Sequence, residues 1–487
     1  MKNVINKTKE RWHTEAGYHE VLKVAIPLVL STGAWAVQHF FDRMFLTWYS
    51  ADALAAAMPA GILNFTIMAL FLGTSGYVNT FVAQYFGAGQ NNRIGPVLWQ
   101  GVYIALFAAV VHLALIPLAK PFFQFVGHDP KVMRLEITYF QILCLGAGPV
   151  VASAALASFY SGRGKTLPVM WVNFAATILN IVLNYILIFG RLGFPPMGIT
   201  GAGIATVISG FFSFFIYLVL ICRRSHEKAY QIMSGWKFNR PLFIRLLRFG
   251  LPNGVPFFLE HVCFTAFCLM IGRLGMIQLA ATNLTFNIET LGFMPMLGFG
   301  MAVSILVGQR LGEDRPDLAE RSVYSGFHLT FVYMAGAALA YVLIPEVLFW
   351  PFVVNADPVS IAPIRELAIV LLKFVAVFCL FDTMAVIFSF GVRGAGDTKF
   401  AMFLVIISSI LGLALPTYIA LGLLGMGAYA AWTILTVYIG LLGFAFLTRF
   451  LGGKWKSMRV IETTDPTVSE STAIPERNVL LEPAKGA

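Results

Sequence analysis

The chain has 487 residues, of which 58% are hydrophobic and only 12% charged, with 34 Lys and Arg against 24 Asp and Glu. A mean hydropathy of +0.77 excludes an ordinary soluble globular protein and points to a polytopic membrane protein. The net charge of +10 does not imply nucleic acid, because the basic residues fall in alternate loops between apolar runs.

Residues 1–20 are polar and basic, with Trp12 and Tyr18, and read as an interfacial segment. The first apolar run, from Val21 to Trp48, is too long for a signal-peptide core and reads as a retained spanning helix. Eleven more such runs start near Leu54, Pro96, Val132, Leu167, Ile199, Leu242, Ile277, Ser322, Ile364, Phe400 and Gly427. The expected fold class is all-α: twelve transmembrane helices in two homologous six-helix lobes. Membrane strands are about half this length and alternate in polarity. Arg93, Arg163, Lys165, the run from Arg223 to Arg248, Arg310, Arg315, Arg321, Arg393 and Lys399 collect on one side with both termini. The positive-inside rule puts that side in the cytoplasm.

An internal repeat organises the chain. Lys23 to Pro27 (KVAIP) and Arg248 to Pro252 (RFGLP) are separated by 225 residues. The same offset lays Leu54-Ala55-Ala56 on Leu279-Ala280-Ala281, and Val82, Gln84 and Gly87 on Val307, Gln309 and Gly312. Gly162 to Thr166 matches Gly394 to Thr398 at a slightly larger offset. The expected divisions are an amino-terminal segment 1–20, an N-lobe 21–222, a linker 223–241, a C-lobe 242–450 and a polar tail 451–487. From Ser457 onward the tail has a disordered composition.

Asp42 is the first candidate functional residue. A carboxylate deep in hydrocarbon costs about 2.5 to 3.5 kcal/mol and is usually retained where it binds or carries something. It follows Lys23 by 19 residues, so it lies about 30 Å along its helix, toward the outer half of the membrane. Arg43 is adjacent in sequence but points about 100° away. In the fifth run, Asn173, Thr177, Asn180 and Asn184 form a polar stripe. Such a stripe is suited to sharing a proton or small cation with an acid, or to gluing helices by hydrogen bonds.

The second half carries its acids elsewhere. Glu260 lies twelve residues from Arg248 and Asp382 eleven from Arg393, which puts both about 16 to 18 Å deep. The repeat maps Glu260 onto Trp35 and Asp42 onto Phe267, so the halves share a scaffold and not a site. Glu289, with Asn283 beside it, either lines a substrate cleft or pairs with Arg273. His261, next to Glu260, either tunes that acid or is a core histidine like His39 and His112. The five cysteines, Cys144, Cys222, Cys263, Cys268 and Cys379, show no CxxC spacing, so no disulfide framework or metal site is expected. Gly162 to Thr166 lacks the Gly at position 159 that a phosphate loop needs. Pro27, Pro252 and Pro256 sit inside helical runs as candidate kinks.

These residues together resemble the multidrug and toxic compound extrusion (MATE) family of secondary transporters, from about Glu20 to Phe450. The carriers are Pro27, Asp42 and Leu54-Ala55-Ala56, VAQYFGAG and VGQRLGE, LNIVLNYILIFG with GAGIAT, and VRGAGDT. The resemblance implies two lobes in a V that expel small organic, cationic substrates in exchange for Na⁺ or H⁺. It makes Asp42 a cation or proton acid with Asn180 and Thr206 as companions. Asn184 stands where a complete amino-terminal site carries Asp, and Glu260 and Asp382 match the carboxyl-lobe acids of the NorM-type branch. Na⁺ is therefore expected either at Asp42 and Asn180 or at Glu260 and Asp382. No cofactor, nucleic acid or enzyme motif is expected, and the chain is taken as a monomer in the inner membrane among its lipids. The alternative is a lipid-linked saccharide flippase of the related superfamily, which a basic cavity would favour.

Overall fold

A computed structural model describes residues 11–353 and 358–462. Among them are twelve helices long and apolar enough to cross a membrane. They are α1 (Tyr18–Tyr49), α2 (Ala51–Gly87), α3 (Asn91–Leu115), α4 (Pro130–Ser161), α5 (Leu167–Phe189), α6 (Ile199–Ile221), α7 (Arg240–Gly272), α8 (Met276–Gly312), α9 (Pro316–Leu343), α10 (Ile361–Ala395), α11 (Thr398–Leu423) and α12 (Ala428–Leu451). The expected all-helical fold is what forms, because apolar runs of this length satisfy their own backbone hydrogen bonds only as helices. Pro27, Pro252 and Pro256 lie inside uninterrupted helices.

The internal repeat is visible in the packing. In the first lobe α4 packs on α2, α3 and α6, and α1 on α5; in the second, α10 packs on α8, α9 and α12, and α7 on α11. The lobes meet through α1 against α8 and α2 against α7, a pair of contacts that exchange under a two-fold operation. With no hydrophobic gain between helices in lipid, such contacts depend on close approach and hydrogen bonds. Asn253 donates to the carbonyl of Gly73 at 2.8 Å, and Thr32 to that of Met294 at 3.0 Å.

The lobes are closest at the face carrying both ends of the described chain, here the basic face. Gln84 and Gln309, equivalent in the repeat, reach across in opposite directions: Gln84 Nε2 donates to the carbonyl of Gly394 at 3.1 Å, and Gln309 Nε2 to that of Gly162 at 2.8 Å. Gly87 and Gly312 are required here. A Cβ on Gly87 would lie 2.0 Å from the Gln309 carbonyl oxygen, and one on Gly312 2.3 Å from that of Gln84.

Three segments outside the spanning helices are packed against them. The residues preceding α1 dock on the second lobe: Ser325 donates to the carbonyl of Ala16 at 2.9 Å, and Arg310 pairs with Glu15 and Glu20 at 3.2 and 2.7 Å. The tail stays ordered past Ser457, where its composition reads as disordered, as far as residue 462. Trp455 is fully buried against Phe450, Val460 donates its N–H to Gln84 Oε1 at 2.8 Å, and Glu462 bonds Tyr85 at 2.8 Å and Arg245 at 2.6 Å. Large aromatic and aliphatic side chains at Trp455 and Val460 outweigh the polar composition around them. The segment therefore straps the second lobe to the first; residues 463–487 lie outside the described residues. The linker is folded too, with a short helix at Arg224–Tyr230. Arg163 lies over the rings of Phe159 and Tyr230, 3.6 and 4.6 Å from their centroids, and fastens that helix to the end of α4.

Candidate functional site

The polar stripe of α5 faces α1 along its whole length. Thr166 Oγ1 donates to the Val24 carbonyl at 3.1 Å, Asn173 to Ser31 Oγ, Thr177 to the Ala34 carbonyl at 3.4 Å, and Asn184 Nδ2 to Asp42 Oδ1 at 2.5 Å. The sequence separation stays at 142 or 143 throughout, the signature of two parallel helices held in register. The stripe holds the two helices together by hydrogen bonds, and its last amide donates to an acid.

Asn184 also bonds Asn180 Oδ1 at 2.8 Å, and both side chains are fully buried. Asn184 Oδ1 and Asn180 Nδ2 have no protein partner. An unpaired buried carbonyl oxygen beside a carboxylate is an arrangement a small hard cation or a protonated acid would complete. Arg43 donates to Asn287 Oδ1 at 3.3 Å and stays within electrostatic range of Asp42. Tyr139 of α4 comes within electrostatic range of Asp42, which sequence reasoning missed. Thr206 donates its hydroxyl to the Ala202 carbonyl of its own helix at 3.0 Å.

Counting from Gly394, the positions equivalent to Asn180 and Asn184 are Gly412 and Pro416, and α11 there widens into π turns at Ser409–Ala414 and Ile419–Leu423. The amide pair has no counterpart in the second lobe.

The second lobe instead gathers three acids from three helices. Asp382 of α10 lies within electrostatic range of both Glu260 of α7 and Glu289 of α8. Glu289 makes no ion pair with Arg273, the alternative its sequence position left open, because its helix turns it toward Asp382. Arg393 is within range of Glu260 but gives its guanidinium to Ser389 at 2.8 and 2.5 Å. One arginine thus stands against three carboxylates. Among the described residues no three His, Cys, Asp or Glu converge as metal ligands. Asn283 is exposed, one turn and a half before Glu289.

An aromatic wall crosses from the first lobe to the second. Trp35 of α1 contacts His39 at 4.9 Å between ring centroids and Phe65 of α2 at 5.5 Å. Phe65 reaches the other lobe, to His261 at 4.9 Å and Phe257 at 6.1 Å. His261 Nδ1 is tied to the Phe257 carbonyl at 2.8 Å, so its ring belongs to this wall. Glu260, the residue before it, is exposed in the same stretch of α7. Phe65 and Phe257 were not singled out by sequence; the signal for Trp35 was its repeat equivalence to Glu260.

The MatE family profile matches residues 27–186 and 252–419, two copies that begin at the equivalent prolines Pro27 and Pro252. The chain is 28% identical over 433 residues to "Probable multidrug resistance protein NorM" of Brucella suis, covering 88% of this chain and 92% of that protein. It is 29% identical over 406 residues to "Multidrug resistance protein PmpM" of Pseudomonas aeruginosa, covering 83% and 84%. Among solved structures, it resembles one described as the outward-facing conformation of a multidrug resistance MATE family transporter, with a TM-score of 0.83 at 19% identity, over 92% of this chain and 98% of that one. A transporter of the MOP superfamily from Pyrococcus furiosus, described as having a binding pocket of reverse polarity, also gives 0.83, at 18% identity, with the same coverage of both chains. On the double profile match across a twelve-helix fold, the chain is an integral membrane transporter of the multidrug and toxic compound extrusion (MATE) family.

Proposed function

We propose that this protein is a secondary antiporter that expels amphipathic, cationic organic compounds in exchange for Na⁺ or H⁺ by alternating access, with its basic face in the cytoplasm. The observation that carries the reading is the wall of Trp35, Phe65, Phe257 and His261 joined to Glu260, Asp382 and Glu289, opposed by one arginine. Aromatic faces and carboxylates together attract organic cations. The acidic balance argues against the flippase alternative, and the names of the relatives agree with drug export.

Asp42 with Asn180 and Asn184 is the cation or proton site of the first lobe in this reading, and Glu260 with Asp382 that of the second. Binding of the coupling ion at either place changes the charge that holds a cationic substrate. A membrane potential supplies about 2.3 kcal/mol per charge per 100 mV for the exchange.

The test is dye-cation transport in proteoliposomes under an imposed Na⁺ or H⁺ gradient. Loss of transport in Asp42→Asn alone assigns coupling to the first lobe, and loss confined to Glu260→Gln/Asp382→Asn assigns it to the second. If neither gradient drives any cation, the antiporter reading fails.

A further inference from the structure

The linker between the lobes presents a side-chain pattern that transport does not explain. Its backbone is tied to α3 at four places. Trp99 Nε1 donates to the Ile232 carbonyl at 2.6 Å, Tyr103 to that of Trp236, Gln100 Nε2 to that of Lys237 at 3.4 Å, and the Asn239 N–H donates to Gln100 Oε1 at 3.3 Å. Glu227 accepts the N–H groups of Met233 and Ser234 at 2.5 and 3.1 Å, which fixes the turn before it reaches α3. Ile232 is the one large apolar side chain turned inward, at 1% exposure.

The other large apolar side chains of this turn point out: Met233 is 55% exposed, Trp236 58% and Phe238 56%. A loop this firmly held does not leave two aromatic rings in water for want of a place to fold them. Lys237 and Arg240 lie among them, both exposed and without an acidic partner among the described residues. They line an open cleft of ≈ 530 Å³ together with Pro96, Gln231, Ser234 and Asn239. The cleft sits where α3 and α7 reach the basic face.

We infer that this linker is a binding site for the headgroup of an anionic phospholipid, with Lys237 and Arg240 holding the phosphate and Met233, Trp236 and Phe238 inserted among the acyl chains beside it. Aromatic side chains favour this interface because one end is apolar and the other is not. Basic clefts between spanning helices at the membrane surface attract anionic headgroups. The linker is the covalent bridge between the lobes, so a lipid held there fixes the level of that bridge in the bilayer as the lobes move.

The experiment is native mass spectrometry of the full chain released from mixed vesicles of phosphatidylglycerol and phosphatidylcholine. Wild type is expected to retain one phosphatidylglycerol in preference to phosphatidylcholine. Lys237→Gln/Arg240→Gln should weaken that retention about five-fold per lost charge, about thirty-fold in all. Trp236→Ser/Phe238→Ser should weaken it as well. The control pair Lys120→Gln/Lys131→Gln, exposed at the opposite face, should retain the lipid like wild type. All substituted positions are exposed, and unchanged helical circular dichroism confirms the fold of each variant. Equal retention of both lipids, equal loss in the control pair, or displacement by inorganic phosphate would overturn the inference, the last by showing a site for soluble anions.

Discussion

Asn184 Nδ2 lies 2.5 Å from Asp42 Oδ1, which joins α5 to α1 at the outer end of a ladder that begins with Thr166 and Val24. The acid is held by a neutral amide, while the arginine beside it in sequence hydrogen-bonds Asn287. Replacing Asn184 by Asp puts a second carboxylate at this distance, and the pair needs a cation or a shared proton between them. Na⁺ binding by isothermal titration is therefore expected to tighten at least about tenfold in Asn184→Asp. Asn184→Ala leaves Asp42 without its donor and is expected to lower stability by about 1–3 kcal/mol, read as a fall in melting temperature.

Asp382 lies within electrostatic range of both Glu260 and Glu289. Glu260→Gln and Asp382→Asn should each weaken binding of a dye cation, measured by fluorescence titration, and the double variant should lose less than the sum of the two because they share one field. Phe65→Ala removes the ring that bridges the lobes and is expected to weaken binding up to about tenfold, in line with about 0.5–1.5 kcal/mol for an aromatic contact. Equal affinity in all four variants would place the substrate elsewhere.

Closure at the basic face depends on two glycines. Gly87→Ala places a methyl group where the Gln309 carbonyl stands, and both are backbone-fixed, so the lobes must separate there. With Ser161→Cys as a reporter in a background lacking the five native cysteines, maleimide labelling is expected to rise several-fold in Gly87→Ala. Gly33→Ala, whose added Cβ meets nothing within 4 Å, should label like its parent.

The carboxyl-terminal strap divides its contribution unevenly. Trp455 is fully buried, so Trp455→Ala is expected to cost about 3–5 kcal/mol. The Glu462–Arg245 pair is partly exposed at both ends, and Glu462→Gln should cost no more than about 1 kcal/mol. Yet Glu462 ties the strap to the other lobe. Under the proposed cycle Glu462→Gln is expected to raise Ser161→Cys labelling while barely shifting the melting temperature.

Glu227 sets the pH range over which the linker stays ordered. Hydrogen bonds from Ser234 and Met233 hold its carboxyl below its ordinary value. A lowered acid contributes order that is full above the ordinary carboxylate range and lost as pH falls through the lowered value. Amide exchange at Met233 and Ser234 should therefore stay slow through neutral and mildly acidic pH and quicken only below that range. In Glu227→Gln it should be faster at neutral pH, and its dependence on pH should be flat once corrected for intrinsic exchange.

The sequence by itself determined the twelve helices, the repeat, and the acids at positions 42, 260, 289 and 382. Each of these is written in local terms: the length of an apolar run, a recurring spacing, a charge where hydrocarbon makes charge costly. It also marked Asn184 as a neutral residue beside an acid, since helical periodicity put Asn173 to Asn184 on one face. Only the tertiary structure decided which groups share space. Glu289 lies within electrostatic range of Asp382 and makes no ion pair with Arg273, and Arg43 hydrogen-bonds Asn287. Phe65 meets His261 from another lobe, and Val460 reaches Gln84 across 376 residues of chain. These outcomes depend on helix rotation and on where two lobes touch, quantities that periodicity within one helix does not carry. The tail shows the same limit: from Ser457 its composition reads as disordered, but Val460 finds a buried place beside Gln84 that exists only once both lobes have assembled.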